Sequence, residues 1–170
     1  MWVAVRPFRE SDIPDKVRWI NDPANHQYLH YELPLTVEGT RQWYRRVKNA
    51  ADRFDGVILA DGVPCGVIGL LRIDPARREA EFYVTVGEAA YRRKGAALAA
   101  SRLVLRYAFG ALGLARVCLF TETGNLPAQN LFEKLGFVRE RLLVNDVRAN
   151  GRSADRYLYG ITADAFREGL

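Results

Sequence analysis

The sequence predicts a mixed α+β domain with one central, mostly antiparallel sheet of about seven strands, flanked by about four helices. Three observations carry this. β-branched and apolar runs recur along the chain, helical periodicity separates some of them, and the turn pairs Asp61-Gly62 and Asn150-Gly151 join others as hairpins. The 170 residues, 49% of them hydrophobic, allow one domain over 1–170 with a core that needs no disulfide or structural metal. No repeat, linker or low-complexity segment divides them.

Residues 2–7 alternate as a first strand, and Ser11 offers an N-cap for a helix over 12–21, with Pro14 tolerated near its start. The segment 22–35, DPANHQYLHYELPL, is irregular and rich in aromatic and imidazole side chains. Thr36 then caps a second helix that contains Trp43 and Val47. Strands are expected at 52–60, 65–73 and 79–86, the last after an Asp74-Pro75 turn. Leu98, Leu105, Phe109 and Leu112 recur near helical period over 95–112, with Arg102 and Arg106 on the opposite face. A strand at 116–121, a helix at 127–135 ending at Gly136, and a hairpin of 137–147 with 155–161 complete the order β-α-α-β-β-β-α-β-α-β-β.

Composition narrows the function. No apolar run approaches the ~20 residues needed to cross a bilayer, and the N-terminal MWVAVRPF reads as a strand rather than a signal core. Cys65 and Cys118 have no CxxC partner, as expected of reduced thiols in a cytoplasmic protein. The net charge of +5 favours anionic partners, but no RNP-like motif, zinc finger or long basic helix points to nucleic acid. No membrane partner is expected either, and a homodimer stays open.

The stretch RRKGAA, residues 92–97, sets three cations before the smallest side chains of the chain. A helix N-terminus exposes unpaired N–H groups and a partial positive charge, so it binds phosphate where the backbone can be approached. Gly95 clears the tightest approach, Ala96 and Ala97 keep the next positions small, and Arg92, Arg93 and Lys94 add mobile charge. An ordinary basic helix start is the alternative. Neither a P-loop nor a dinucleotide GxGxxG is present.

A second stretch, GNLPAQNLFEKLGF at 124–137, follows in the right order after one amphipathic helix and one strand. Together, Arg92-x-x-Gly95-x-Ala97 and Asn125-x-x-Ala128 with Phe132-Glu133-Lys134-x-Gly136-Phe137 resemble the GNAT superfamily of acyl-CoA-dependent N-acyltransferases. The opening RPFRESD and the closing hairpin are similar to the branch that acetylates ribosomal-protein N-termini and polyamines. The resemblance implies acetyl-CoA as co-substrate, with its pyrophosphate at residues 92–97. It also implies that its pantetheine arm pairs with the edge of Val84, Thr85 and Val86 and is contacted by Asn125, Ala128, Asn130 and Phe132. Asn125 can equally be a plain helix cap, and Gly136-Phe137 read as a helix stop followed by a core strand.

An amine attacks a thioester only as the free base, so a proton acceptor is needed. Alternation over 79–86 puts Glu81, Tyr83 and Thr85 on one face and Phe82, Val84 and Val86 on the other. Glu81 lies eleven residues before Arg92, as does the base of histone-acetylating members that this segment resembles, and partial burial would make it a usable base. A surface glutamate paired with Arg77 or Arg78 is the other reading. Where the family usually places the tyrosine that protonates the leaving thiolate stands Phe132, which leaves Tyr83, Tyr91 or Cys118 as candidate donors, or none.

His26 and His30, with no HExxH frame, do not read as a metal site. With Tyr28, Tyr31 and Glu32 they read as the acceptor-side loop for a small-molecule amine (amino sugar, amino acid, antibiotic or polyamine), its few acidic residues arguing against a highly charged polyamine and for a smaller amine. The expected activity is acetyl transfer to a primary amine in a ternary complex. The alternatives are a ribosomal-type N-terminal acetyltransferase and, because of Phe132, an acyl-CoA-binding module without turnover.

Overall fold

The computed structural model describes residues 1–168, apart from the side chains of His26 and Glu168. Its elements are β1 (Val3–Pro7), α1 (Ile13–Asn21), α2 (Val37–Val47), β2 (Phe54–Ala60), β3 (Val63–Asp74), β4 (Glu79–Val86), α3 (Ala96–Arg106), β5 (Arg116–Glu122), α4 (Leu126–Leu135), β6 (Val138–Ala149), β7 (Arg152–Thr162) and α5 (Ala163–Glu168). The seven strands form one sheet in the order β1-β2-β3-β4-β5-β7-β6. Only the β4–β5 pair is parallel, because α3 carries the chain back across the sheet between them. The expected order holds, with α5 added as a fifth helix; its six residues carry too short an apolar pattern to stand out.

The two faces of the sheet are covered by different helices. On one, Ile58, Ile68, Phe82 and Val84 pack with Ala100, Val104 and Leu105 of α3 and Phe132 and Leu135 of α4. On the other, Val57 and Val67 pack with Phe8 and with Ile13 and Trp19 of α1, and α2 adds Trp43 and Tyr44. The period-two reading of β4 therefore separates two environments: Phe82 and Val84 face α3, whereas Tyr83 faces α1 and α2.

Local chemistry explains the element boundaries. Asp61 and Gly62 at φ 49° and 81° make the left-handed turn that joins β2 to β3. Thr36 caps α2 by accepting the Gly39 N–H at 3.0 Å. Ser11, however, caps nothing: residues Glu10–Asp12 form a 3-10 turn, and Asp12 accepts the Arg9 N–H at 2.8 Å while the Arg6 guanidinium grips both its oxygens at 2.7 and 2.8 Å. The cap position of α1 falls to Asp12, whose carboxylate is turned back to Arg6 and Arg9, so α1 starts without a side-chain cap. The expected helix over 95–112 is α-helical only to Arg106 and closes through a five-residue π-turn, Tyr107–Ala111.

Candidate active site

β4 and β5 pair only through Glu79–Arg116, Ala80–Val117 and Glu81–Cys118, after which each strand runs on bonded to its other neighbour alone. The two strands splay apart. Backbone groups of β4 from Phe82 to Val86 thus lack a strand partner toward the opening, which is an edge able to receive an amide-bearing chain. A cavity of about 1220 Å³ follows this opening from one side of the sheet to the other.

At one end the cavity meets the start of α3. Gly95 is the N-cap at φ 87°, makes no side-chain cap, and has open space where a Cβ would stand. The first N–H groups of α3 are thus approachable, as an anion needs. Arg92, Arg93, Gly95 and Ala97 line this end, and the Arg92 guanidinium carries a buried Nη2 with no hydrogen-bond partner among the described residues, a donor waiting for an acceptor. Lys94 is exposed and Ala96 is wholly buried in the core, so neither lines the cavity. The small residue at 96 serves helix packing, while its neighbour at 97 faces the opening. Val84, Thr85, Val86, Ala128, Asn130 and Phe132 also line it. Asn125 lines it too, but its amide oxygen caps α4 by accepting the Ala128 N–H at 3.3 Å. Phe132 is buried, with its ring 6.5 Å from that of Phe82 and 6.3 Å from that of Tyr159. This is an aromatic cluster that a hydroxyl would enter only with a partner.

Across the sheet the cavity reaches α1, α2 and the loop 22–35. Glu81 lines it and is paired with Arg72 at 2.9 Å, not with Arg77 or Arg78. A β-bulge beyond Leu71, where Arg72 takes φ 49°, swings that guanidinium alongside β4. Arg72 is largely exposed and Glu81 largely buried, so the pair is held from its solvent side by a mobile guanidinium.

Tyr83 donates its hydroxyl to Asp55 at 2.5 Å. Asp55, Gly69 and Tyr83 are in register across β2, β3 and β4, and a Cβ at position 69 would strike the Tyr83 ring, so Gly69 lets the phenol lie across β3. Burial and the Asp55 carboxylate push the Tyr83 phenol well above its ordinary range. Its proton therefore points away from the β4–β5 opening and is committed elsewhere, a poor arrangement for a donor to a thiolate. Of the other candidates, Tyr91 lines the cavity and Cys118 does not, and burial pushes the Cys118 thiol up.

The loop is tied down at its residues. Tyr28 donates to the Gly124 carbonyl at 3.0 Å, and His30 Nε2 meets Glu122 Oε2 at 2.5 Å. Asn150 of the β6–β7 turn bonds the Tyr31 carbonyl at 2.9 Å. Tyr28, His30 and Tyr31 line the cavity, whereas Glu32 is exposed and outside it; the His26 side chain lies outside the described residues. Glu122, buried at the end of β5, also takes both Arg152 nitrogens at 2.8 Å. That guanidinium, helped by His30 and opposed by burial, holds its carboxyl below the usual range.

The acetyltransferase (GNAT) domain family matches residues 3–138. The chain belongs to the GNAT family. It is an N-acetyltransferase with acetyl-CoA as its co-substrate, and the reading of a binding module without turnover is set aside. A spermidine N(1)-acetyltransferase of Escherichia coli (strain K12) is 28% identical over 152 residues, covering 88% of this chain and 80% of that protein. An uncharacterized N-acetyltransferase of Bacillus licheniformis is 27% identical, covering 94% and 92%. The crystal structure of spermidine N-acetyltransferase from Vibrio cholerae in complex with CoA and spermine superposes with a TM-score of 0.89 at 23% identity, covering 97% of this chain and 98% of that one, which shows the shared fold.

Lys16, Trp43, Arg53, Asp55, Phe120, Glu122 and Arg156 line this acetyltransferase's cavity without having stood out in the sequence. One signal was available. Ile13, Lys16 and Ile20 share a helical stripe, so Lys16 is a lysine on the buried face of α1. The others depend on strand register and on the fold of the loop.

Proposed function

We propose that the chain moves the acetyl group of acetyl-CoA to the primary amine of a small molecule by direct attack, with both substrates bound at once. What supports this is the single cavity passing through the β4–β5 opening, with cations and an open helix start at one end and a polar, aromatic chamber at the other. Acetyl-CoA brings the activated thioester. Arg92, Arg93 and the N–H groups at Gly95–Ala97 are suited to its pyrophosphate, and the unpaired edge of Val84–Val86 to the amides of its arm. Ala128 leaves room beside that arm, and Asn130 and Phe132 wall it.

Glu81, at the last paired position before the splay, is the proposed general base. As the amine nitrogen forms the new N–C bond and the C–S bond breaks, the proton lost by the amine passes to Glu81, directly or through water. The leaving thiolate, whose parent thiol has a pKa near that of cysteine, about 8.5, departs without an obligatory donor at Phe132. Tyr83 shapes the acceptor chamber rather than giving a proton, because Asp55 holds its hydroxyl.

A small acceptor is supported by the loop 22–35, which walls the chamber and is bonded to β5 and to the β6–β7 turn. The free thiols Cys65 and Cys118 fit the reducing cytoplasm. Thiol release from acetyl-CoA across a panel of amines tests the reading: acetylation of at least one small primary amine is expected, and release only with peptide N-termini would overturn it.

A further inference from the structure

Lys16 is a buried lysine inside the cavity, 6% exposed, and among the described residues it makes no hydrogen bond and no ion pair. Its Nζ stands 3.4 Å above the centroid of the Trp43 ring and 5.7–5.8 Å from those of Tyr31 and Phe8. Such an aromatic setting holds a cation without neutralising it.

The charges around it leave it in surplus. Asp55, the carboxylate that faces it from β2, takes two bonds from Arg53 at 2.7 and 2.9 Å and a third from Tyr83, so Arg53 and Asp55 cancel. Tyr31 and Tyr83, from the loop and from β4, are neutral phenols, the first pushed up to about 12 by burial and by Asp55. Elsewhere in this half of the cavity Glu81 is paired with Arg72, Glu122 with Arg152 and His30, and Arg156 with Asp146. Among the described residues, the one uncompensated charge of the acceptor chamber is the Lys16 ammonium. Burial and Arg53 push its pKa down to about 8 against the opposing pull of Asp55, as expected of a cation that lacks its counter-ion.

We propose that Lys16 anchors an anionic group of the acceptor, so that the enzyme acetylates amines that also carry a carboxylate, in the manner of an amino acid, rather than polyamines. The inference rests on acetyl transfer to a small amine through this cavity. A polyamine would instead set a second ammonium against the buried Lys16 ammonium, where like charges repel more strongly than in water.

The test compares an amino acid, its carboxamide and spermidine as acceptors for the wild type, Lys16→Met and Lys16→Arg. The wild type should prefer the amino acid to its carboxamide by at least tenfold in kcat/KM, and to spermidine by more. Lys16→Met should remove the preference over the carboxamide chiefly through KM, and Lys16→Arg should restore much of it. Should Lys16→Met fail to fold, the wild type and Lys16→Arg still decide, because both should prefer the amino acid to its carboxamide. A wild type that turns over spermidine or the carboxamide as well as the amino acid overturns the inference while acetyl transfer stands. No thiol release with any amine would instead remove the function on which it rests.

Discussion

The two ends of the cavity are built in opposite ways. The end at α3 is contiguous in sequence: Arg92, Arg93, Gly95 and Ala97 lie within six positions, and the chemistry is that of a helix start cleared of side chains. The end proposed for the acceptor is assembled from α1, α2, β2, β4 and the loop 22–35, with Lys16, Trp43, Asp55 and Tyr83 meeting only because of sheet register and helix placement. A local backbone device can serve a co-substrate that never changes. A chamber made of scattered side chains can be altered residue by residue, which is what a change of acceptor requires.

The sharpest break between the two ends is Gly95→Glu. Space is open around a Cβ there, so the fold should survive the cost of a left-handed non-glycine residue, about 1–2 kcal/mol. The carboxylate would stand where phosphate is expected. Acetyl-CoA should lose at least a hundredfold in affinity, roughly 3 kcal/mol, and a thermal shift as large as that of the wild type would remove the phosphate assignment.

At the junction of the two ends, Glu81→Gln keeps the size and polarity of the side chain but takes no proton. Turnover should fall by roughly 10²-fold with acetyl-CoA affinity unchanged. Wild-type turnover across pH 6 to 9 would make Glu81 structural.

Lys16 sharpens the comparison through stability. Its folded pKa of about 8 lies below its ordinary 10.5, so between these values the native state binds fewer protons than the unfolded chain and stability rises with pH. Below pH 8 the buried charge opposes folding by roughly 3 kcal/mol, partly offset by the Trp43 face. Lys16→Met should therefore raise stability by roughly 1–3 kcal/mol at pH 7, with the gain shrinking toward pH 10.5. Denaturant titrations at the two pH values measure it, and a pH-independent difference would show that Lys16 does not titrate as described.

The smallest effect is expected at Phe132. Its ring is packed among Phe82, Phe137 and Tyr159, and Phe132→Tyr should change turnover less than tenfold. A hundredfold gain in steady-state kcat would mean that the native chain is a weakened catalyst.

What could be read in advance divides along the same line. Strand alternation, hairpin turns and the Thr36 cap are local, and β1 to β7 fell where those signals lay. The open helix start at Gly95 was legible in RRKGAA because a glycine N-cap needs no partner from elsewhere in the chain. Ser11 misled because residues Glu10–Asp12 turn as a 3-10 segment pinned by the Arg6–Asp12 pair, which moves the start of α1 past Ser11. Glu81 was placed on the right face of β4, but its partner depended on a bulge at Arg72 that no local pattern announces. Tyr83 reads in the sequence as a candidate donor, yet only the row Asp55, Gly69, Tyr83 shows where its proton goes. Lys16 left a trace, a charge on a buried stripe, whose meaning required Trp43 and Asp55 to be in place.

The central claim is that one opening between β4 and β5 holds both substrates, and bisubstrate initial-velocity kinetics test it most directly. Varying acetyl-CoA at several fixed concentrations of an accepted amine should give intersecting double-reciprocal lines, with no acetylated enzyme trapped when the amine is left out. Parallel lines together with an acetyl group recovered on the protein, on Cys118 or elsewhere, would contradict it.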